Sequence, residues 1–158
     1  MKPSCGHEGE TTGLRPGALS AALGEAESRC QAAEERLTGP RRRVLELLLS
    51  SSAPVKAYDL IAAFGTDGQA AKPPTVYRAL EFLERLGFAH RLESLNAYVA
   101  CRRTGERHAA AFLICDCCGA TEEFDPSVAQ AVGQAGAQRG YDVRALTVEA
   151  SGLCPACR

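Results

Sequence analysis

The sequence predicts an α+β protein made of two regions, an N-terminal winged helix-turn-helix domain followed by a small α/β domain. Three observations predict it. Between Ala18 and Leu86 apolar residues recur at helical spacing in successive segments, and a hairpin-like alternation follows them. From Ala109 onward, short alternating or apolar runs read as strands, with one helical stretch among them. In that C-terminal region a pair of tight cysteine motifs, Cys115-x-x-Cys118 and Cys154-x-x-Cys157, is separated by 35 residues. A Cys-x-x-Cys sets two thiolates on one turn, so two such turns supply the four soft ligands of a closed tetrahedral zinc site.

At 158 residues the chain is long enough for one ordinary domain or two small ones. Its formal net charge of -1 gives no overall sign of a polyanionic partner, so any such claim rests on local arrangement. Met1 is followed by no apolar run of signal-peptide type, and no stretch approaches the roughly 18 apolar residues of a membrane span. A cytoplasmic protein without a membrane partner is the expectation. Residues 1–17, with Gly6, Gly9, Gly13, Gly17 and two prolines, show no apolar period and read as a flexible tail. Cys5 and His7 lie in it, where a lone pair of metal-ligating residues is usually incidental.

The first helix is predicted over Ala18 to Leu37, where Leu19, Leu23, Ala26, Cys30 and Leu37 share a face. Cys30 falls on that apolar side, as a small buried thiol. Thr38 is the expected cap of a second helix, with Pro40 in its first turn and Val44, Leu45, Leu47, Leu48 and Leu49 buried. Ser50 to Pro54 ends it. A third, short helix runs from about Lys56 to Phe64, and Gly65 to Gly68 make a loop. Lys72-Pro-Pro-Thr leads into a fourth helix with Val76, Ala79, Leu80, Leu83 and Leu86 inward and Tyr77, Arg78, Glu81 and Arg85 off that stripe. Gly87 is placed as its left-handed cap. Phe88 to Glu93 and Ala97 to Ala100 then form a hairpin about Asn96.

Compact helices followed by a two-stranded hairpin are the winged form of the helix-turn-helix, in which the helix before the wing enters the DNA major groove. From Thr38 to Leu95 there are eight Lys and Arg against six acids, a weak electrostatic footprint most of which suits an ordinary solvated surface.

In the C-terminal region, strands are expected at Ala109 to Asp116, Ala120 to Phe124 and Val143 to Ala150, with a helix from Ser127 to about Arg139. The four paired cysteines have bland alternatives: two disulfides, or a redox pair in an enzyme-like thiol–disulfide protein. Lasting disulfides are rare in a reducing compartment, and two Cys-x-x-Cys turns suit a metal better than a redox site. Cys117 stands inside the first pair. Because Cys115 and Cys118 keep the turn spacing and Gly119 lets the chain reverse, those two are taken as ligands.

The ordered run Ala57-Tyr58-Asp59-Leu60, Lys72-Pro-Pro-Thr-Val-Tyr-Arg-Ala-Leu80, Gly87-Phe-Ala-His90, Tyr98-Val-Ala-Cys101, Phe112-Leu-Ile-Cys115 and Gly152-Leu-Cys154-Pro-Ala-Cys157 resembles the ferric uptake regulator superfamily, and within it the zinc uptake regulator branch. The resemblance spans about Leu37 to Arg158. It implies a homodimeric bacterial repressor, with a winged-helix domain over 18–100, a hinge over 101–108 and a dimerisation and zinc-binding domain over 109–158. Two protomers placing their helices about one helical turn apart would read a palindromic operator in double-stranded DNA.

What the resemblance implies for single residues is more detailed. Tyr77 and Arg78 would contact bases, Arg78 by a fork to guanine and Tyr77 against a thymine methyl. Tyr58, Lys72 and Thr75 would bond backbone phosphates. A second, regulatory zinc would use His90, Cys101, His108 and Glu123, making two zinc ions per chain. The mixed set of thiolate, imidazoles and carboxylate suits zinc, whereas iron sensors of the superfamily keep a His-rich segment that here reads His108-Ala-Ala-Ala. Each of these four has an ordinary reading as a core or surface residue, and the choice of Glu123 over Glu122 is open. The function implied is zinc-dependent repression of zinc-uptake genes, with no enzymatic activity and no small-molecule substrate. The alternatives are an iron- or peroxide-responsive regulator of the same superfamily, or the thiol–disulfide protein.

Overall fold

The structure is a computed structural model that describes residues 13–65, 72–101, 110–124, 127–143 and 146–158. They fall into two compact units, one within 12–106 and one within 107–158. The first carries α1 (Pro16–Ala32), α2 (Gly39–Ser50), α3 (Ala57–Phe64), α4 (Pro73–Arg85) and an antiparallel hairpin of β1 (Ala89–Leu92) and β2 (Ala97–Ala100). This is the expected winged helix-turn-helix.

α1 starts and stops earlier than its apolar period suggests. Pro16 opens it, and Leu14 already donates its N–H to the Leu49 carbonyl at 2.9 Å, so the expected tail boundary at residue 17 falls inside packed chain. At the other end Glu34 donates to the Gln31 carbonyl at 3.0 Å and Glu35 to the Cys30 carbonyl at 2.8 Å. That pair of bonds is a Schellman ending, with Glu34 in the left-handed region at φ 56°. Leu37 therefore sits in the connection to α2, where it still packs against the core.

α2 follows Thr38, which occupies the cap position without making the expected side-chain bond. Val44, Leu45, Leu48 and Leu49 are buried, and half-buried Leu47 packs against the same core. α4 buries Val76, Ala79, Leu80 and Leu83 as its period predicts, and Phe82 as well. Phe82 is covered by cations: the Arg41 guanidinium stacks 3.5 Å from its ring centroid and that of Arg85 lies at 5.4 Å. Gly87, at φ 73°, ends α4 by donating to Glu84, while Phe88 donates to Leu83 at 2.8 Å. The hairpin then turns at Asn96, which is also left-handed at φ 47°.

The second unit is a three-stranded sheet of β3 (Ala110–Cys115), β4 (Thr121–Phe124) and β5 (Thr147–Gly152), with α5 (Ser127–Ala137) packed on β3. Its order is β4-β3-β5, antiparallel between β3 and β4 and parallel between β3 and β5. β3 holds the centre, with Ala110, Ala111, Phe112 and Ile114 buried. The last strand lies further along than its apolar alternation predicts. Tyr141 and Val143 are exposed, and pairing with Ala110–Cys115 sets the start of β5 at Thr147. The expected hinge, apart from Cys101, lies outside the described residues, as do His108, Cys5, His7 and most of the Gly65 to Gly68 loop.

Candidate metal centre and nucleic-acid interface

The parallel pairing of β3 and β5 brings the two cysteine pairs together. Parallel strands finish at the same end of a sheet, and here Cys115 is level with Gly152. The first pair continues into the turn after β3, where Gly119, left-handed at φ 75°, donates to the Cys115 carbonyl at 3.0 Å and reverses the chain. Asp116 donates to the Gly152 carbonyl at 2.8 Å, so the second pair begins just beyond the same edge.

The sulfur atoms of Cys115, Cys118, Cys154 and Cys157 all lie within 4.8 Å of one another. Cys118 Sγ is 3.8 Å from Cys154 Sγ. Four sulfurs at ~2.3 Å from one ion in tetrahedral geometry are ~3.8 Å apart, so the spacing fits a zinc ion and is far beyond a disulfide bond. The electrostatics fit too. Backbone N–H groups of Cys118 and Cys154 pull the Cys115 thiol down to about 6, overcoming burial. Cys157 is pushed up, first by burial and then by the neighbouring thiol of Cys154. A thiolate is favoured at Cys115 and opposed at Cys157, and a divalent cation is the group that relieves the conflict. Cys117 stands outside the four. Cys30 is fully buried, and burial raises its thiol above the usual value, as suits an inert core residue.

In the first unit the candidate DNA residues lie on α3 and on α4 or its cap. Tyr58 on α3 is 78% exposed and Tyr77 on α4 is 52% exposed. Arg78 and Lys72 are exposed as well, while Thr75 is half-buried and donates its N–H to the Lys72 carbonyl at 2.9 Å. Arg41, Arg42, Arg43, Arg85 and Arg91 are each ion-paired with a glutamate. Lys56, Lys72 and Arg78, at or near the starts of α3 and α4, form no such pair among the described residues, and neither do Arg15, Arg29 and Arg36 on or beside α1. Exposed aromatics beside unpaired cations suit a nucleic-acid surface.

Comparison with known proteins decides the family. The ferric uptake regulator family model matches residues 32–151. The chain belongs to the ferric uptake regulator family. Among curated proteins, this regulator is 42% identical over 137 residues to the zinc uptake regulation protein of Escherichia coli (strain K12), covering 85% of this chain and 80% of that protein. Among solved structures it resembles a zinc uptake regulator complexed with zinc and DNA, with a TM-score of 0.79 and 40% identity over 88% of this chain and 94% of the other. A holo structure of XcZur gives a TM-score of 0.77 and 40% identity over 87% and 96%.

The mixed ligand set implied for this regulator draws its residues from both units. In the wing, His90 lies on β1 and Cys101 follows β2, with Cys101 donating its N–H to the Phe88 carbonyl at 2.9 Å. That bond extends the hairpin by one step, and a ring nitrogen of His90 and the Cys101 sulfur stand within 4.8 Å of each other. In the second unit Glu123 is the β4 partner of buried Phe112, whereas exposed Glu122 is the partner of exposed Leu113. Cross-strand partners share a face, so Glu123 is on the sheltered face and Glu122 on the open one.

Sequence reading missed the cation network that links α1, α2 and α4. Glu35 holds Arg85 at 2.7 Å and Arg41 at 4.0 Å, and Arg29 donates to the Leu86 carbonyl while lying 4.4 Å over the Phe88 ring. The run Arg41-Arg-Arg43 beside Glu27, Glu35 and Glu46 was the available signal. Only the fold shows that each of its three arginines is ion-paired.

Proposed function

We infer that the chain is a zinc-responsive, sequence-specific DNA-binding transcriptional repressor that acts as a homodimer on a palindromic duplex. The observation that carries this is the pairing, in one member of the ferric uptake regulator family, of a tetrathiolate cluster with an exposed Tyr77–Arg78 surface on the helix before a wing. The solved structures it resembles include one complexed with both zinc and DNA. Iron- and peroxide-responsive readings are not favoured, and neither is an enzyme.

We propose Cys115, Cys118, Cys154 and Cys157 as the structural zinc site and His90, Cys101, His108 and Glu123 as the regulatory one, two ions per chain. Zinc supplies a dication that holds four ligands at fixed directions and makes deprotonated thiolates stable. The short distance from His90 to Cys101 and the sheltered face of Glu123 support the second set. Its ligands come from both units across a hinge at 101–108, so their shared occupancy would favour one arrangement of the DNA-binding units, and operator DNA would in turn raise zinc affinity. Arg78 and Tyr77 would read bases, and Tyr58, Lys72 and Thr75 would hold phosphates.

Dimerisation is assigned to the second unit, which exposes Leu113, Val132, Tyr141, Val143 and Leu153. Among the described residues no helix is long and apolar enough to cross a membrane, and we place the protein in the cytoplasm with its DNA. The test is metal counting alongside operator binding at graded free zinc. One ion should leave early together with operator affinity, and one should stay; operator binding that is indifferent to the first loss would refute the reading.

A further inference from the structure

α3 is the shortest helix of the winged-helix unit, with 8 residues, and it is attached at three places. Its entry is stitched to the wing, because Val55 and Tyr98 exchange N–H to carbonyl bonds at 2.8 Å in both directions. Its middle is anchored by Leu60, the one fully buried side chain it has. Its exit is different. Gly65 leaves in an extended conformation at φ -83°, and the last turn contains no basic residue.

Arg43, from α2, supplies what that exit lacks. Its Nε donates to the Phe64 carbonyl at 3.3 Å, its Nη2 to the Ala63 carbonyl at 3.2 Å, and its Nη1 to Glu46 Oε2 at 2.9 Å. A cation on the last carbonyls of a helix meets the negative end of the helix dipole. Because the guanidinium is a rigid planar fork, bonding two successive carbonyls fixes both the direction of α3 and its position along its axis. Leu60 and the half-buried Ala57, Ile61 and Phe64 seat α3 on the core, and the Arg43 fork adds directional bonds at its last carbonyls.

We propose that Arg43 is a positioning residue for DNA reading. It sets α3 against α2, and so the placement of Tyr58 relative to Tyr77 and Arg78, without itself touching a base. This rests on the reading that α4 presents Tyr77 and Arg78 to bases.

The test uses the full zinc-loaded chain, a palindromic duplex selected from a random pool by the unaltered protein, and a scrambled duplex of the same composition. Arg43→Met keeps the stem and loses the fork; Arg43→Lys keeps the charge and one donor group. The expected result for Arg43→Met is about a tenfold loss on the selected duplex, a change within about twofold on the scrambled one, and an unchanged salt slope. Arg43→Lys should recover part of the loss, and carries the test if Arg43→Met does not fold. Equal losses on both duplexes with a salt slope lower by about one unit would make Arg43 a phosphate contact and overturn the proposal. A lowered melting temperature with the selected-to-scrambled ratio intact would make it merely structural and overturn it too. Arg78→Ala, run in parallel, separates the causes. If Arg78→Ala lowers the ratio and the Arg43 variants do not, the clamp alone fails; if Arg78→Ala leaves the ratio intact, the base-reading premise fails and the clamp with it.

Discussion

Glu34 and Gly87 hold the same left-handed position at the ends of two helices, at φ 56° after α1 and φ 73° after α4. Both helices close with a Schellman pair of bonds, yet only one uses the residue suited to the conformation. A side chain in that region costs roughly 1–2 kcal/mol, which glycine avoids. Glu34 is exposed and so has little packing to lose. Glu34→Gly should therefore stabilise the protein by about 0.5–1 kcal/mol, and Gly87→Ala should destabilise it by about 1–2 kcal/mol. Urea melts with unchanged slopes are the measurement, and a destabilised Glu34→Gly would contradict the conformational argument.

The base-reading assignment predicts a contrast between two cations. Arg78→Ala should weaken binding to the selected duplex by about 1–3 kcal/mol and leave random duplex nearly unaffected. Lys72→Ala should weaken both and lower the salt slope by about one unit. Titrations at several salt concentrations distinguish these patterns, and identical behaviour of the two variants would count against separate roles.

Removing one thiolate from the cluster should have a structural consequence rather than a graded loss of sensing. Structural zinc contributes about 10–16 kcal/mol of apparent binding energy in small domains, more than a sheet of this size holds without it. Cys154→Ser should lower tightly held zinc by one ion per chain and abolish the dimer. Elemental analysis combined with sedimentation checks this, and a zinc-depleted dimer would sink it.

The metal-free protein should have an unusual pH profile. Cys115 is held at about 6 against its ordinary 9.0 by backbone N–H groups, so across pH 6 to 9 the unfolded chain binds more protons than the folded one. Stability from Cys115 is complete above 9, declines as pH falls, and is gone once pH has dropped through 6. Cys157 is shifted the other way, so its contribution is present below 9 and lost as pH rises above that. With chelator and reductant present, the second unit should be most stable near pH 9. Thermal melts that stay flat from pH 6 to 9 would show that the N–H groups do not stabilise the thiolate.

Much of this architecture is legible in the residues, and the exceptions have physical causes. Gly87 announces the end of α4 because glycine is cheap where φ is positive. Glu34 ends α1 by the same geometry with nothing in the sequence to announce it, so the apolar period runs on to Leu37. The start of β5 is set by its register against β3, a long-range pairing that local alternation does not encode, and Val143 therefore reads as strand while lying exposed. The cysteine pairs are legible because their chemistry is local to two turns. The unequal standing of Glu122 and Glu123 is not, since it depends on which of Phe112 and Leu113 lies across the strand. The weak charge excess misleads for a related reason: counting cannot tell Arg43, turned in upon α3, from Arg78, turned out.

The parallel alignment of β3 with β5 has one more consequence. With Cys118 and Cys154 on one zinc ion, as proposed above, the 35 intervening residues would form a closed ring that includes β4, α5 and the segment after it. A single proteolytic nick within that ring would release no fragment, because both halves would remain fastened through the zinc proposed on these cysteines. The second unit would thus be clasped like a bracelet, its integrity under attack depending on the clasp rather than on the continuity of the band.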